Sequence, residues 1–291
     1  MSKPLATASS APMAPASSTG CPAQRVRETS EPLVLTETLE PGLVRLTLNR
    51  PNAFNALSEA MLSALQTELD AIAANPAIRV VIIAGSGKAF CAGHDLKEML
   101  TAYEDDGSVA YYKSLFAQCS RMMLSLQKMP QPVIAQIHGI ATAAGCQLVA
   151  MADLAVASSD TRFAVSGINY GLFCSTPSVG LSRNLLRKQA MEMLLTGDFI
   201  DAQQAKDEGL INQVCANDDL NQTVIDLARK IMAKPEAAVR MGKALFYAQL
   251  EVGIEKAYEM AGQTMACNMM DANALEGVQA FIEKRPPNYK L

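Results

Sequence analysis

Val44, Leu46 and Leu48 are apolar, and Arg45, Thr47 and Asn49 between them are polar. A period of two puts one set of side chains on a buried face, so Leu43–Asn49 is predicted as a half-buried strand. Leu33–Leu39 is predicted as its partner, with Pro41-Gly42 as the turn between them. The period then changes. Leu62, Leu65, Leu69 and Ile72 recur three and four apart behind Ser58, a residue suited to cap a helix, and Asn75-Pro76 stops the pattern. Val80–Ala84, Pro132–Ile137 and Leu154–Ala157 are short apolar runs of the kind found in strands covered on both faces. A helix over Ser108–Lys128 fills the long gap. Strands alternating with helices predict an α/β fold with crossover connections.

From about Pro177 the pattern turns helical. Leu220, Val224, Leu227 and Ile231 share one helix face, and further helices are expected at Pro235–Leu250, Gly253–Asn268 and Ala272–Lys284. Met260, Met265, Met269 and Met270 read as flexible filling of a core or interface. The expected organisation is a tail over 1–30, an α/β core over 31–200 and a helical oligomerisation region over 201–291.

The tail changes the picture only at the start. Met1–Arg27 is rich in Ala, Ser and Pro and has no acidic residue. It is expected to be a disordered tail rather than an organelle-targeting peptide, because it shows no amphipathic arginine face. A cytoplasmic location follows, with the mitochondrial matrix as the alternative if the tail is a transit peptide.

Composition removes several classes of function. Hydrophobic residues make up 49% of 291 and charged residues 19%, enough for a sizeable core. A formal net charge of −4 with no basic run argues against nucleic acid. Seven scattered cysteines suggest reduced thiols, and two histidines without ligand spacing argue against a metal site. No stretch reaches the roughly 20 apolar residues needed to cross a bilayer.

Two stretches carry candidate chemistry. Gly87–Met99, "GKAFCAGHDLKEM", has a tight bend at Ala92-Gly93 and a helix start at Asp95. Gly139–Leu154, "GIATAAGCQLVAMADL", is a small-residue turn running into an apolar helix near Ala143. Backbone N–H groups at a helix start lack intrahelical partners and sit at the positive end of the helix dipole. Two of them converging on one oxygen would form an oxyanion hole.

With "LNRPNAFNAL" (Leu48–Leu57) and the closing "FIEKRPPNY" (Phe281–Tyr289), these stretches make the chain resemble the crotonase, or enoyl-CoA hydratase/isomerase, superfamily over roughly Leu33–Leu291. "GINYGLFCSTP" (Gly167–Pro177) narrows the resemblance to one branch. The resemblance implies a spiral of ββα units with a helical C-terminal subdomain, assembled as homotrimers or dimers of trimers. It implies an acyl-CoA thioester substrate, with coenzyme A entering as part of it and no separate cofactor or metal. Carried over residue by residue, the backbone N–H groups of His94 and Ala144 would form the hole. Ala53, Phe54, Ala92, Asp95, Leu96 and Lys97 would lie along the CoA, and Lys284 would approach its phosphates.

The departure from the family concerns proton transfer. Hydratases of this family hold water between two glutamates, and here those positions are Gln147 and Gly167. An amide or a bare backbone cannot exchange a proton near neutral pH, and each missing group costs about two to four powers of ten in rate. Weak or absent hydration of crotonyl-CoA is therefore expected. Decarboxylation of a malonyl-type thioester needs no base and suits such a site; thioester hydrolysis and non-catalytic CoA binding are the other options. Isomerisation usually keeps one glutamate and is disfavoured. The side chains of His94, His138, Cys146, Cys174 and Tyr170 are expected to be structural, and Asp95 is expected to cap a helix.

Overall fold

The computed structural model describes residues 31–105 and 109–289. The expected tail over 1–30 lies outside these residues. Strands β1 (Val34–Glu40) and β2 (Leu43–Leu48) form the hairpin predicted from the sequence. Gly42 turns it at φ +85°, where a side chain would also press on Arg79. Helix α1 (Glu59–Ala73) starts at Ser58, whose hydroxyl accepts from the Met61 N–H at 3.1 Å. Its Leu62, Leu65, Leu69 and Ile72 are buried on one face. Each such side chain contributes about 1.5–3 kcal/mol when it leaves water.

The chain continues through β3 (Val80–Gly85), α2 (Leu96–Asp105), α3 (Val109–Lys128), β4 (Val133–Ile137), β5 (Ile140–Thr142), α4 (Ala144–Met151), β6 (Leu154–Ser158) and β7 (Arg162–Ala164). Then follow α5 (Ser175–Asn184), α6 (Arg187–Thr196), β8 (Ile200–Asp201), α7 (Ala202–Asp207), β9 (Gln213–Cys215), α8 (Leu220–Met232), α9 (Glu236–Gln249), α10 (Ile254–Met269) and α11 (Ala272–Glu283). The main sheet has six strands in the order β1-β2-β3-β4-β6-β9, parallel from β2 onward. A second sheet of three strands runs β5-β7-β8.

Strand β3 shows why its run is apolar throughout. Val81 and Ile83 face the core shared with α1 and α3, whereas Val80 and Ile82 face Val224 and Ala228 of α8. This corrects the expected boundary at residue 200. Strand β9 pairs with β6 and α8 covers the sheet's second face, so the α/β body extends past residue 200. Three-residue strands carry too little periodicity to read locally, which also hid β5 inside the expected turn.

The last helices attach through a polar anchor. The Lys243 ammonium on α9 donates to the Leu126 carbonyl at 2.7 Å, the Gln131 carbonyl at 2.8 Å and Asp153 Oδ2 at 2.6 Å. The Tyr247 hydroxyl donates to Asp153 Oδ1 at 2.8 Å. Beyond α9, Ile254, Tyr258 and Phe281 are 73%, 75% and 85% exposed, so apolar side chains of α10 and α11 stay uncovered among the described residues.

Candidate active site

Strand β5 brings the two candidate stretches together. Ile140 accepts from the Cys91 N–H at 3.2 Å, and the Thr142 N–H donates to the Cys91 carbonyl at 3.0 Å. The Thr142 hydroxyl adds a bond of 3.0 Å to the Ala92 carbonyl. Gly145, in the first turn of α4, lies so close to this loop that a Cβ there would fall 2.1 Å from the Cys91 carbonyl oxygen. Gly93 takes φ +93°, and a Cβ on it would fall 3.1 Å from the Ala144 nitrogen. The Ala144 nitrogen thus lies beside Gly93, the residue that precedes His94. Among the described residues, neither the His94 N–H nor the Ala144 N–H donates to an acceptor.

The chain enters α4 through a strained residue. Ala143 has φ +49° and ψ −119°, a conformation that costs a residue with a Cβ about 1–3 kcal/mol. It is held there by its N–H, which donates to the Ala164 carbonyl at 2.9 Å. Segment 53–57 braces the other side. Phe54 accepts from the Ala92 N–H at 3.0 Å, and the Leu57 N–H donates to the Gly93 carbonyl at 2.7 Å. Ala53 closes a short 3-10 turn, and Phe54 is exposed beside it with φ +50°.

These elements border a cavity of about 680 Å³, within the range of small-ligand sites. Leu96, Leu100, Phe116, Leu172 and Phe173 give it apolar walls, and Ala92, His94, Ala143, Ala144 and Gly167 stand on its lining. Among the described lining residues there is no Asp, Glu, Lys or Arg. Among the described residues no group of three or more His, Cys, Asp or Glu side chains converges as a metal site would require.

The His94 ring lies edge-on to Phe116, with centroids 5.4 Å apart. Both its nitrogens are buried, and neither meets hydrogen-bond geometry with a partner among the described residues. Burial lowers its pKa, and the Leu57 carbonyl offsets this only in part, so the imidazole is neutral at pH 7. Gln147 sits three residues beyond Ala144 and is 5% exposed, with its amide oxygen unpartnered. It is not on the cavity lining, because α4 is buried on every side and Ala143 and Ala144 form the wall there.

Gly167 does line the cavity, but its side-chain space is occupied. A Cβ there would fall 2.6 Å from the Leu172 carbonyl oxygen and 2.7 Å from the Cys174 sulfur. Burial raises the Cys174 thiol's pKa and pushes that of Cys146 up to about 12, so neither is a thiolate at neutral pH. Tyr170 stands at the rim, 71% exposed.

Asp95 is committed elsewhere. Its Oδ1 accepts from the Lys97 and Glu98 N–H groups at 3.0 and 3.2 Å, and its Oδ2 accepts from Arg50 Nη1 at 2.6 Å. Burial raises its pKa, but the Arg50 hydrogen bond and charge and the helix N–H donors outweigh burial and hold it below the usual carboxylate value. Leu96 reaches the cavity, and Lys97 is exposed in the first turn of α2. Lys284 caps the far end of α11 and is not on the cavity lining.

Sequence reasoning passed over Arg50 and Asn55, polar residues within the quoted "LNRPNAFNAL". Asn55 is fully buried at φ +55°, donating to the Ser86 and Ala89 carbonyls at 2.9 and 2.8 Å. Two polar residues on either side of the Pro51–Ala53 turn were the available signal.

The enoyl-CoA hydratase/isomerase family model matches residues 38–291. The chain belongs to this family. Rat enoyl-CoA hydratase domain-containing protein 3, a mitochondrial protein, is 42% identical over 258 residues, covering 89% of this chain and 85% of its own length. The crystal structure of human enoyl coenzyme A hydratase domain-containing protein 3 shares 41% identity with a TM-score of 0.83, covering 88% of this chain and 100% of the human one. That is the branch to which "GINYGLFCSTP" pointed. The crystal structure of an enoyl-CoA hydratase from Mycobacterium smegmatis shares 60% identity with a TM-score of 0.86, covering 90% of this chain and 100% of that one. The sheet order and helical C-terminal region described above are therefore those of a crotonase fold.

Proposed function

We propose that this family member binds an acyl-CoA thioester with the thioester oxygen between the N–H groups of His94 and Ala144 and stabilises the enolate formed there, without ordinary hydratase activity. The observation that carries this reading is that His94 and Ala144, whose N–H groups have no acceptor among the described residues, both stand on the lining of one cavity whose described lining has no carboxylate. An oxyanion hole survives the loss of side-chain acids because its donors are backbone. Hydration does not, because water addition needs a group that takes and returns protons. Coenzyme A enters as part of the substrate, and no other cofactor has a role in this scheme.

The apolar, cation-free lining favours one second reading, decarboxylation. A substrate carboxylate placed there loses its hydration. The C–C bond to it breaks, CO2 leaves, and the electron pair passes into the enolate whose charge the two N–H groups hold. A non-catalytic CoA-binding role shares the pocket and differs only in turnover.

Incubation with enoyl-, malonyl- and saturated acyl-CoA substrates, followed by mass spectrometry, separates these readings. Ready turnover of crotonyl-CoA at ordinary hydratase rates overturns the first. The exposed apolar faces of α10 and α11 support assembly as a homotrimer or dimer of trimers. The location follows the source cell. The rat relative is mitochondrial, which supports the matrix, whereas a bacterial source, like that of the Mycobacterium smegmatis relative, would keep the cytoplasmic expectation.

A further inference from the structure

The two donors of the proposed hole are held in different ways. Ala144 is fixed by α4 and by the tight contact of Gly145 with Cys91. His94 lies on a loop bracketed by one residue, Leu57, whose N–H donates to the Gly93 carbonyl at 2.7 Å and whose carbonyl accepts from the Asp95 N–H at 3.4 Å. That second bond is long, so the bracket alone holds His94 loosely on the Asp95 side.

A polar clamp completes it. The Asp95 carboxylate accepts from Arg50 Nη1 at 2.6 Å and from two N–H groups of the first turn of α2. The same Arg50 nitrogen reaches the Ala56 carbonyl at 3.5 Å, next to Leu57. The Arg50 backbone N–H donates to Asn55 Oδ1 at 2.9 Å, and Asn55 is anchored in turn to the 86–90 loop. Arg50 therefore ties both sides of the Leu57–His94 bridge, and its partner Asp95 is the residue that follows His94. The Asp95 side chain is 10% exposed and that of Arg50 33%, so the carboxylate is shielded while the guanidinium keeps some contact with water. Neither residue is on the cavity lining.

We propose that Arg50 and Asp95 are positioning residues that hold the His94 N–H in register with that of Ala144, so that this ion pair sets the strength of the oxyanion hole without touching the ligand. The inference rests on the oxyanion reading above, and its test separates the two. A donor displaced by about 1 Å can lose about 100-fold of its effect on the transition state.

The probe is trans-2-octenoyl-CoA labelled with carbon-13 at the thioester carbonyl, followed by isotope-edited infrared spectroscopy and by binding titration. In the unmodified protein the carbonyl band should move to lower frequency on binding. Asp95→Ala and Arg50→Met should each lose most of that shift while the dissociation constant stays within about threefold, and Arg50→Lys should recover part of it. Asp95→Asn keeps an acceptor for the α2 N–H groups while removing the ion pair, and serves as the reading variant if Asp95→Ala does not fold. Folded variants with the full band shift overturn the positioning role. A probe that fails to bind the unmodified protein, or binds without any shift, overturns the oxyanion reading itself.

Discussion

The sulfur of Cys174 occupies the space in which a side chain at residue 167 would begin, 2.7 Å from where its Cβ would stand. If residue 167 is the position of the hydratases' second glutamate, as the resemblance implies, the space for that side chain is taken by packing. Gln147→Glu alone should not raise crotonyl-CoA hydration by more than about tenfold, because one carboxyl leaves half of the acid–base pair missing. Gly167→Glu should lower stability by about 1–3 kcal/mol through overpacking against Cys174 and the Leu172 carbonyl. Loss of enoyl absorbance and thermal unfolding check both, and a Gly167→Glu variant of full stability would refute the packing account.

Neighbouring small residues in "TAAG" should respond in opposite directions. Ala143→Gly relieves a strained φ of +49° and should raise stability by about 1 kcal/mol, against the usual cost of a new glycine. Gly145→Ala drives a methyl onto the Cys91 carbonyl and should cost about 3 kcal/mol or more. Denaturant unfolding of the two variants reads both signs, and a stable Gly145→Ala would mean that the loops need not touch.

His94 should titrate below the ordinary histidine value. Its folded pKa is lowered by burial, so the unfolded chain binds the proton more readily. The stability it contributes is fully present above about pH 6.5 and is lost as pH falls toward its lower folded pKa. The chain has only His94 and His138, so nitrogen-15 histidine spectra of the protein and of His138→Gln assign the signal. Titration of His94 at or above pH 6.5 would contradict its burial, and His94→Phe should flatten the stability slope just below that pH.

Lys243→Met should destabilise the protein by about 3–5 kcal/mol, since it leaves Asp153 buried without its cation. Both side chains are well shielded, at 6% and 13% exposure, so solvent screening is slight. Burial lowers the ammonium's pKa and Asp153 opposes that, consistent with a charged pair held by geometry. Urea unfolding measures the loss, and pairing Lys243→Met with Asp153→Asn should recover part of it. A cost below about 1 kcal/mol would reduce the anchor to a surface-type ion pair.

Periodicity alone determined the hairpin, α1, the buried strands β3, β4 and β6 and the late helices, because each carries enough residues for its pattern to repeat within itself. The quoted motifs determined the family, and the resemblance they carry implies catalytic positions at His94, Ala144, Gln147 and Gly167. What lay beyond reach depends on residues distant in the chain. Strand β9 is a strand only because β6 offers it a partner. The Arg50–Asp95 pair joins residues 45 apart, and only the fold could show that Asp95 is used in this way. The resemblance implies a catalytic position at Gln147, yet α4 is packed on every side and Gln147 is not on the cavity lining. The sequence by itself determined that residue 167 is a glycine; tertiary packing decided what fills the space beside it, because close packing leaves no room for a side chain where the Cys174 sulfur and the Leu172 carbonyl already stand.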